Sequence, residues 1–184
     1  MYLLYICIDI SNLFLMNIIN NIINNIINNI INNITIVYTM KIAICGPICS
    51  GKSFISTYLT EKYHLQRYAF GDKVKDIARD LFKMNYKDRH LLQTISDKMK
   101  EIDPDIWIKY VIHQIEHTDN IIIDDLRFEN EAQYLHNIGF IIIKLTIDKR
   151  TQLLRIKQTY PQTWQEHVDN LHHNSEQYFD AIQA

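Results

Sequence analysis

The segment Gly46-Pro47-Ile48-Cys49-Ser50-Gly51-Lys52-Ser53 limits what this chain can fold into more than any other. It fits the phosphate-loop pattern GxxxxGK[ST] without a mismatch. An apolar run, Lys41-Ile42-Ala43-Ile44-Cys45, precedes it, and the helix-compatible run Phe54-Ile55-Ser56-Thr57-Tyr58-Leu59 follows. A loop that wraps backbone N–H groups around phosphate oxygens needs glycine where a side chain would collide. It also needs a lysine reaching the β- and γ-phosphates and a hydroxyl for Mg²⁺. Gly46, Gly51, Lys52 and Ser53 fill those roles, and Pro47, Ser50 and Phe54 complete the stretch expected to line a bound ATP.

Residues 1–39 are unlike the rest. They hold no Lys or Arg, a single acid (Asp9), and an Ile/Asn tetrad repeated from Asn17 to Asn33. This reads as a low-complexity extension, disordered or lying before a working start at Met40, with a single domain over residues 40–184. Its opening Met1–Ile8 is apolar, but it lacks a basic flank and is cut by Asp9, so neither a signal peptide nor a membrane anchor is expected. The 19 Lys and Arg balance 21 Asp and Glu, which gives no reason to expect a nucleic-acid partner. Cys7, Cys45 and Cys49 form no CxxC pair, which suits a reducing, cytoplasmic setting with Cys45 and Cys49 as small packing residues.

After the loop and its helix, Leu65–Phe70 reads as a short strand or an extended link, ending at Gly71-Asp72. Helical spacing follows: Val74, Ile77, Ala78, Leu81 and Phe82, then Leu91, Leu92, Ile95 and Met99. A third helix is expected after Asp103 as cap, with Pro104 in its first turn. Ile121-Ile122-Ile123 and Phe140-Ile141-Ile142-Ile143-Lys144-Leu145 are continuous apolar runs suited to strands buried on both faces. Helices are expected over Asn130–Asn137 and Lys149–Gln158. Strands alternating with helices give an α/β three-layer phosphate-loop fold with a mostly parallel sheet and a helical insert, its ligands at the strands' carboxyl ends.

The run ending in Asp124-Asp125 meets that edge. A carboxylate there can hold Mg²⁺ opposite Ser53, which makes Asp124 the first choice; either acid could instead cap the helix from Asn130 onward. Arg127 suits a planar clamp on a second phosphate. Arg150 and Arg155, with Lys149 and Lys157, lie on a helix that could close as a lid. His113-Gln114-Ile115-Glu116-His117 fits HxxEH, a zinc-hydrolase pattern, but lacks an evident third ligand and is read as exposed helix.

Several stretches resemble the deoxynucleoside monophosphate kinase family of phages and large DNA viruses. They are Phe70-Gly71-Asp72-Lys73-Val74-Lys75, Leu92-Gln93, Asp103-Pro104-Asp105-Ile106-Trp107, Asp124-Asp125-Leu126-Arg127-Phe128-Glu129-Asn130-Glu131 and His173-Asn174-Ser175-Glu176. The resemblance runs from about Met40 to Ala184. It implies a P-loop kinase with ATP and Mg²⁺, acting on a deoxynucleoside 5′-monophosphate in the cytoplasm, the host's if the chain is viral. On the matching positions, Lys52 and Ser53 would bind ATP phosphates and Mg²⁺. Asp124 and Arg127 would sit where metal and acceptor phosphate meet, with Arg155 as a lid cation and Arg150 on the ATP side. Asp72, Lys75, Arg89, Gln93 and Asp125 would face the acceptor, and Trp107 would stack on a base or serve the core. Gly71 stands where alanine is usual, and the chain stops where a last strand would only begin, which leaves the adenine-side contacts open. Gln152-Leu153-Leu154-Arg155 also resembles dephospho-coenzyme A kinase, and a regulatory nucleotide binder is a further alternative. A GTPase is not expected, because the glycine of DxxG and an NKxD motif are both missing.

Overall fold

A computed structural model describes the backbone of residues 5–9 and the chain over residues 39–169 and 171. In chain order the elements are β1 (Tyr5–Asp9), β2 (Lys41–Cys45), α1 (Lys52–Tyr63), β3 (Gln66–Tyr68), α2 (Phe70–Phe82) and α3 (Arg89–Ile102). They continue with α4 (Ile106–Ile115), β4 (Ile121–Leu126), α5 (Glu129–Asn137), β5 (Ile141–Thr146), α6 (Lys149–Thr159) and α7 (Trp164–Asp169). The strands form one sheet in the order β1-β5-β2-β4-β3, and every neighbouring pair is parallel. All carboxyl ends therefore share one edge, which is where an α/β sheet of this kind binds ligands. The α/β class and the helical insert, α2 to α4 between β3 and β4, are as the sequence implies.

Alternation along the strands explains how the layers hold. Ile42, Ile44, Ile122, Ile143 and Leu145 pack with Ile55, Leu59 and Leu65 on the face covered by α1. Ala43, Cys45, Ile121, Ile123 and Ile142 point the other way, into Val74, Ala78, Val111, Ala132 and Leu135. Each large aliphatic side chain taken fully out of water contributes about 1.5–3 kcal/mol. Both faces of β2, β4 and β5 are covered, which accounts for the unbroken Ile runs. Trp107 belongs to this core: it is only 4% exposed, and its ring nitrogen donates to the Ser96 carbonyl at 3.4 Å. It does not stand free to stack on a base.

Helix α4 starts later than the Asp-Pro signal suggests. Asp103 closes α3 instead of opening α4; it accepts from the Asp105 N–H at 3.1 Å and from Lys109 at 2.6 Å. Asp105 takes the N-cap position of α4.

Tyr5–Asp9 lies inside the stretch read as a low-complexity extension, yet it pairs with β5 from Tyr5 against Ile142 to Asp9 against Thr146. The Ile/Asn repeat itself and the His173-Asn174-Ser175-Glu176 stretch lie outside the described residues. An unpaired strand edge exposes a row of N–H and C=O groups. Comparing hydrogen exchange of the full chain with that of a chain begun at Met40 should show faster exchange for the β5 amides that face β1. Identical protection in the two would contradict this pairing.

Candidate active site

The phosphate loop is wedged between β2 and the end of β5. Gly46 has φ of 149°, and a Cβ there would lie 2.7 Å from the Leu145 carbonyl oxygen and 3.0 Å from Ser50 Oγ. Only glycine fits that approach. Gly51, at φ of 94°, turns the chain into α1. Lys52 Nζ donates to the carbonyls of Gly46 at 2.6 Å and Pro47 at 2.8 Å, so its ammonium is folded back onto its own loop. Ser50 Oγ is fully buried and has no hydrogen-bond partner. An unsatisfied buried hydroxyl costs about 1–3 kcal/mol, which a phosphate oxygen in the loop would offset. Helix α6 braces the loop through Gln152 Nε2 on the Ile48 carbonyl at 3.1 Å and Arg155 Nη1 on the Cys49 carbonyl at 3.3 Å. Arg155 is thus tied to the loop, whereas Arg150 and Phe54 are exposed.

At the end of β4 the ladder gains a residue: Ala43 pairs with Ile123, but Cys45 pairs with Leu126. A bulge of this kind re-aims side chains beside functional sites. It keeps both Asp124 and Asp125 at the edge and returns Leu126 to the core beside Cys45. Asp124 lines a cleft of about 350 Å³ with Ser53, Thr57, Glu61 and Arg67. Asp125 turns to the opposite side and accepts from the N–H groups of Phe70 at 2.9 Å and Gly71 at 2.8 Å, the first turn of α2. Those amides have no partner within their own helix, and a carboxylate also complements the helix dipole. Burial pushes the Asp125 carboxyl up, against the two amide bonds that lower it. A methyl on Gly71 would come within 3.2 Å of Asp125 Oδ2, which gives the glycine there a physical reason. Neither acid caps the helix from Asn130.

Asp124 Oδ2 is held by Arg67 Nε at 2.8 Å, and Arg67 Nη1 reaches Asp72 Oδ2 at 2.8 Å. Lys75 Nζ completes the chain on Asp72 Oδ1 at 2.7 Å. The hydrogen bond with Asp124 raises the Arg67 pKa above its ordinary value. Burial pushes the Asp72 carboxyl up, but Lys75 and Arg67 outweigh it and hold it below the usual range. Asp124 Oδ1, in contrast, is buried without a partner. Asp124 shares its cleft with Ser53 and keeps one carboxylate oxygen without a partner, a donor set that fits Mg²⁺, which takes hard oxygen ligands.

A second group of cations gathers beyond β4. The Lys87 ammonium is pushed down by burial and by the neighbouring charges of Arg89, Lys75 and Arg127. Like charges held this close oppose one another's charged forms, and an anion between them would relieve that repulsion. Gln93 is exposed on α3.

Residues 42–171 match the family described as AAA domain, which covers more than half of the chain. The chain belongs to the AAA-domain family, within the P-loop kinase superfamily. Among curated proteins it is similar to mouse adenylate kinase 8, at 26% identity over 138 residues, 68% of this chain and 28% of that protein. The chain thus spans under a third of that relative's length. Among solved structures it is similar to a gluconokinase from Sinorhizobium meliloti 1021, with a TM-score of 0.44 and 13% identity, covering 74% of this chain and 79% of that one. Among the described residues of this AAA domain no helix is long and apolar enough to cross a membrane.

Four residues of the AAA domain to which sequence reasoning gave no role shape the site: Arg67 and Lys87, and Glu131 and Gln152, which it quoted only within stretches of resemblance. Glu131 is 4% exposed, and its Oε2 accepts from the N–H groups of Arg127 and Phe128, each at 3.1 Å, fixing the turn that carries Arg127. Its place three residues past Phe128 is the acidic half of a helix-capping pattern, a signal that the sequence does hold. His113 and His117 are exposed at the end of α4.

Burial pushes the Glu131 carboxyl from 4.5 up to about 7, against the lowering effect of the Arg127 and Phe128 amides. The folded state therefore holds this proton more tightly than the unfolded chain. Its contribution is full below about pH 4.5 and is lost as pH rises through about 7, a span worth about 3 kcal/mol. Glu131→Gln, which still accepts from both amides, should unfold at higher urea than the parent at pH 8 and match it near pH 4.5. A constant difference across that range would remove Glu131 as the titrating group.

Proposed function

We propose that this chain is a deoxynucleoside monophosphate kinase, which transfers the γ-phosphoryl group of ATP to a deoxynucleoside 5′-monophosphate and releases ADP and the diphosphate. What supports the reading is the phosphate loop with Lys52 and Ser53 after β2, together with Arg127 directly after β4 and the charges of Lys75, Lys87 and Arg89 that act on one another there. We take the loop as the donor's anion site and these cations as the acceptor's, which a simple nucleotide binder would not need. The similarity to a protein named as an adenylate kinase supports a nucleotide acceptor, and the stretches that resemble phage and viral enzymes support a deoxynucleotide. The same reading takes residues 40–184 as the kinase domain, whose sheet β1 from the preceding stretch extends, with a cytoplasmic location and a role in deoxynucleotide supply.

The chemistry follows from charge and position. An acceptor phosphate oxygen attacks the γ-phosphorus in line, the bond to the β–γ bridging oxygen breaks, and ADP carries away the electron pair. No covalent enzyme intermediate forms. Mg²⁺ held by Ser53 and Asp124 would supply charge neutralisation on the transferring phosphates. Lys52 leaves the loop carbonyls for the ATP phosphates. Arg127, with Lys75 and Arg89, holds the acceptor phosphate against its repulsion by the donor. Arg155 stiffens the loop from α6, and Arg150, Gln93 and Asp72 border the two nucleotides. A monophosphate oxygen is already a competent nucleophile near neutral pH, so no general base is required.

The test is ADP release by the full chain with ATP, Mg²⁺ and a panel of deoxynucleoside and ribonucleoside monophosphates, together with dephospho-coenzyme A. Turnover is expected with at least one deoxynucleotide; turnover with dephospho-coenzyme A alone would replace this reading, and ATP binding without any turnover would overturn it. Lys52→Ala and Arg127→Ala should each lower kcat/KM at least about 100-fold, near 3 kcal/mol of lost stabilisation. A change within about threefold would be below roughly 1 kcal/mol and would withdraw the assignments.

A further inference from the structure

We propose that Arg67 is a positioning residue that presents Asp124 to the divalent cation and locks that presentation to the acceptor-side helix through Asp72. The inference rests on the kinase reading for the identity of the cation and the acceptor. Arg67 is the middle residue of β3, in register with Ile122, whose side chain packs on the α1 side of the sheet. Alternation thus sets it in the Ser53 and Asp124 cleft, away from the insert-side core.

One guanidinium there holds two carboxylates from two elements: Asp124 at the end of β4 and Asp72 in the first turn of α2, each at 2.8 Å. Of the Asp124 oxygens, Oδ2 is taken by Arg67, and Oδ1 is left buried and unpartnered. A carboxylate gripped by one oxygen cannot turn, so Oδ1 stays where a metal would use it. Partners of this kind behind metal ligands are typically worth 10- to 100-fold in metal affinity. Fold stability does not explain the Arg67–Asp72 arm. The Arg67 and Asp72 side chains are 41% and 44% exposed, and ion pairs that open to solvent contribute little. The planar fork does explain it, because a lysine offers one point charge and cannot span both acids with fixed geometry.

The experiment is a Mn²⁺ titration of the full chain with ADP, followed by electron paramagnetic resonance, on the parent, Arg67→Gln, Arg67→Lys, Asp72→Asn and Asp124→Asn. Arg67→Gln should weaken Mn²⁺ about 10- to 100-fold, and Arg67→Lys should recover only part of that. Asp72→Asn, which cuts the link from Arg67 to α2 and also weakens the hold on Lys75, should keep Mn²⁺ affinity within about threefold while raising the acceptor KM. Thermal unfolding of the Arg67 variants should remain one cooperative transition well above the assay temperature, lowered by no more than the loss of the Arg67 bond to the 11%-exposed Asp124 explains, which separates positioning from loss of fold. If Asp124→Asn loses Mn²⁺ but Arg67→Gln binds it like the parent, this inference fails and the kinase reading stands. If Asp124→Asn also binds it like the parent, the metal assignment behind both is wrong.

Discussion

The carboxylate of Asp125 joins the two halves of the site. Its two oxygens take the first amides of α2, so the helix that carries Asp72 and Lys75 is fixed to the same strand end that carries Asp124. Without that anchor the insert would be held to the sheet by apolar packing, which is strong but non-directional, and by the solvent-open Arg67–Asp72 pair. Two directional hydrogen bonds to a charged acceptor set the angle at which α2 leaves the sheet. The bulge in β4 makes this possible: one extra residue lets adjacent acids serve opposite sides, Asp124 the phosphate loop and Asp125 the insert.

Charge is arranged along the same line. From the loop outward the groups run Lys52, Asp124, Arg67, Asp72 and Lys75, alternating in sign, with Lys87, Arg89 and Arg127 beyond. Such a chain pairs most of its charges internally and can exchange those pairs for phosphate and metal. Lys52 illustrates the point, since its ammonium now sits on loop carbonyls that ATP phosphates would replace. The near-neutral overall balance of the sequence is compatible with this, because the excess of positive charge is confined to one place.

The loop, the Ile-rich strands and the insert were legible from the sequence because each rests on a local pattern: glycines at fixed spacing, continuous apolar runs, three- and four-residue periodicity. What was not legible depends on contacts distant in sequence. Arg67 sits in a three-residue strand with no strong pattern, and its partners Asp124 and Asp72 are set by sheet order. Asp125 reads as a site acid or a local cap, whereas its actual partners are 54 and 55 residues away. The late start of α4 came from competition between Asp103 as a closing cap and as an opening one, settled by its bond to Lys109. Tyr5–Asp9 escaped notice as a strand because the composition around it is dominated by a repeat.

The most direct test of the shared-edge account is a crystal structure of the full chain with Mg²⁺ and a bisubstrate analogue in which adenosine and a deoxynucleoside are joined through a polyphosphate chain. The account predicts phosphates running from Lys52 and Ser53, past Asp124, to Arg127 with Lys75 and Arg89. An analogue bound only at the phosphate loop, with its acceptor end directed away from Arg127, would contradict it.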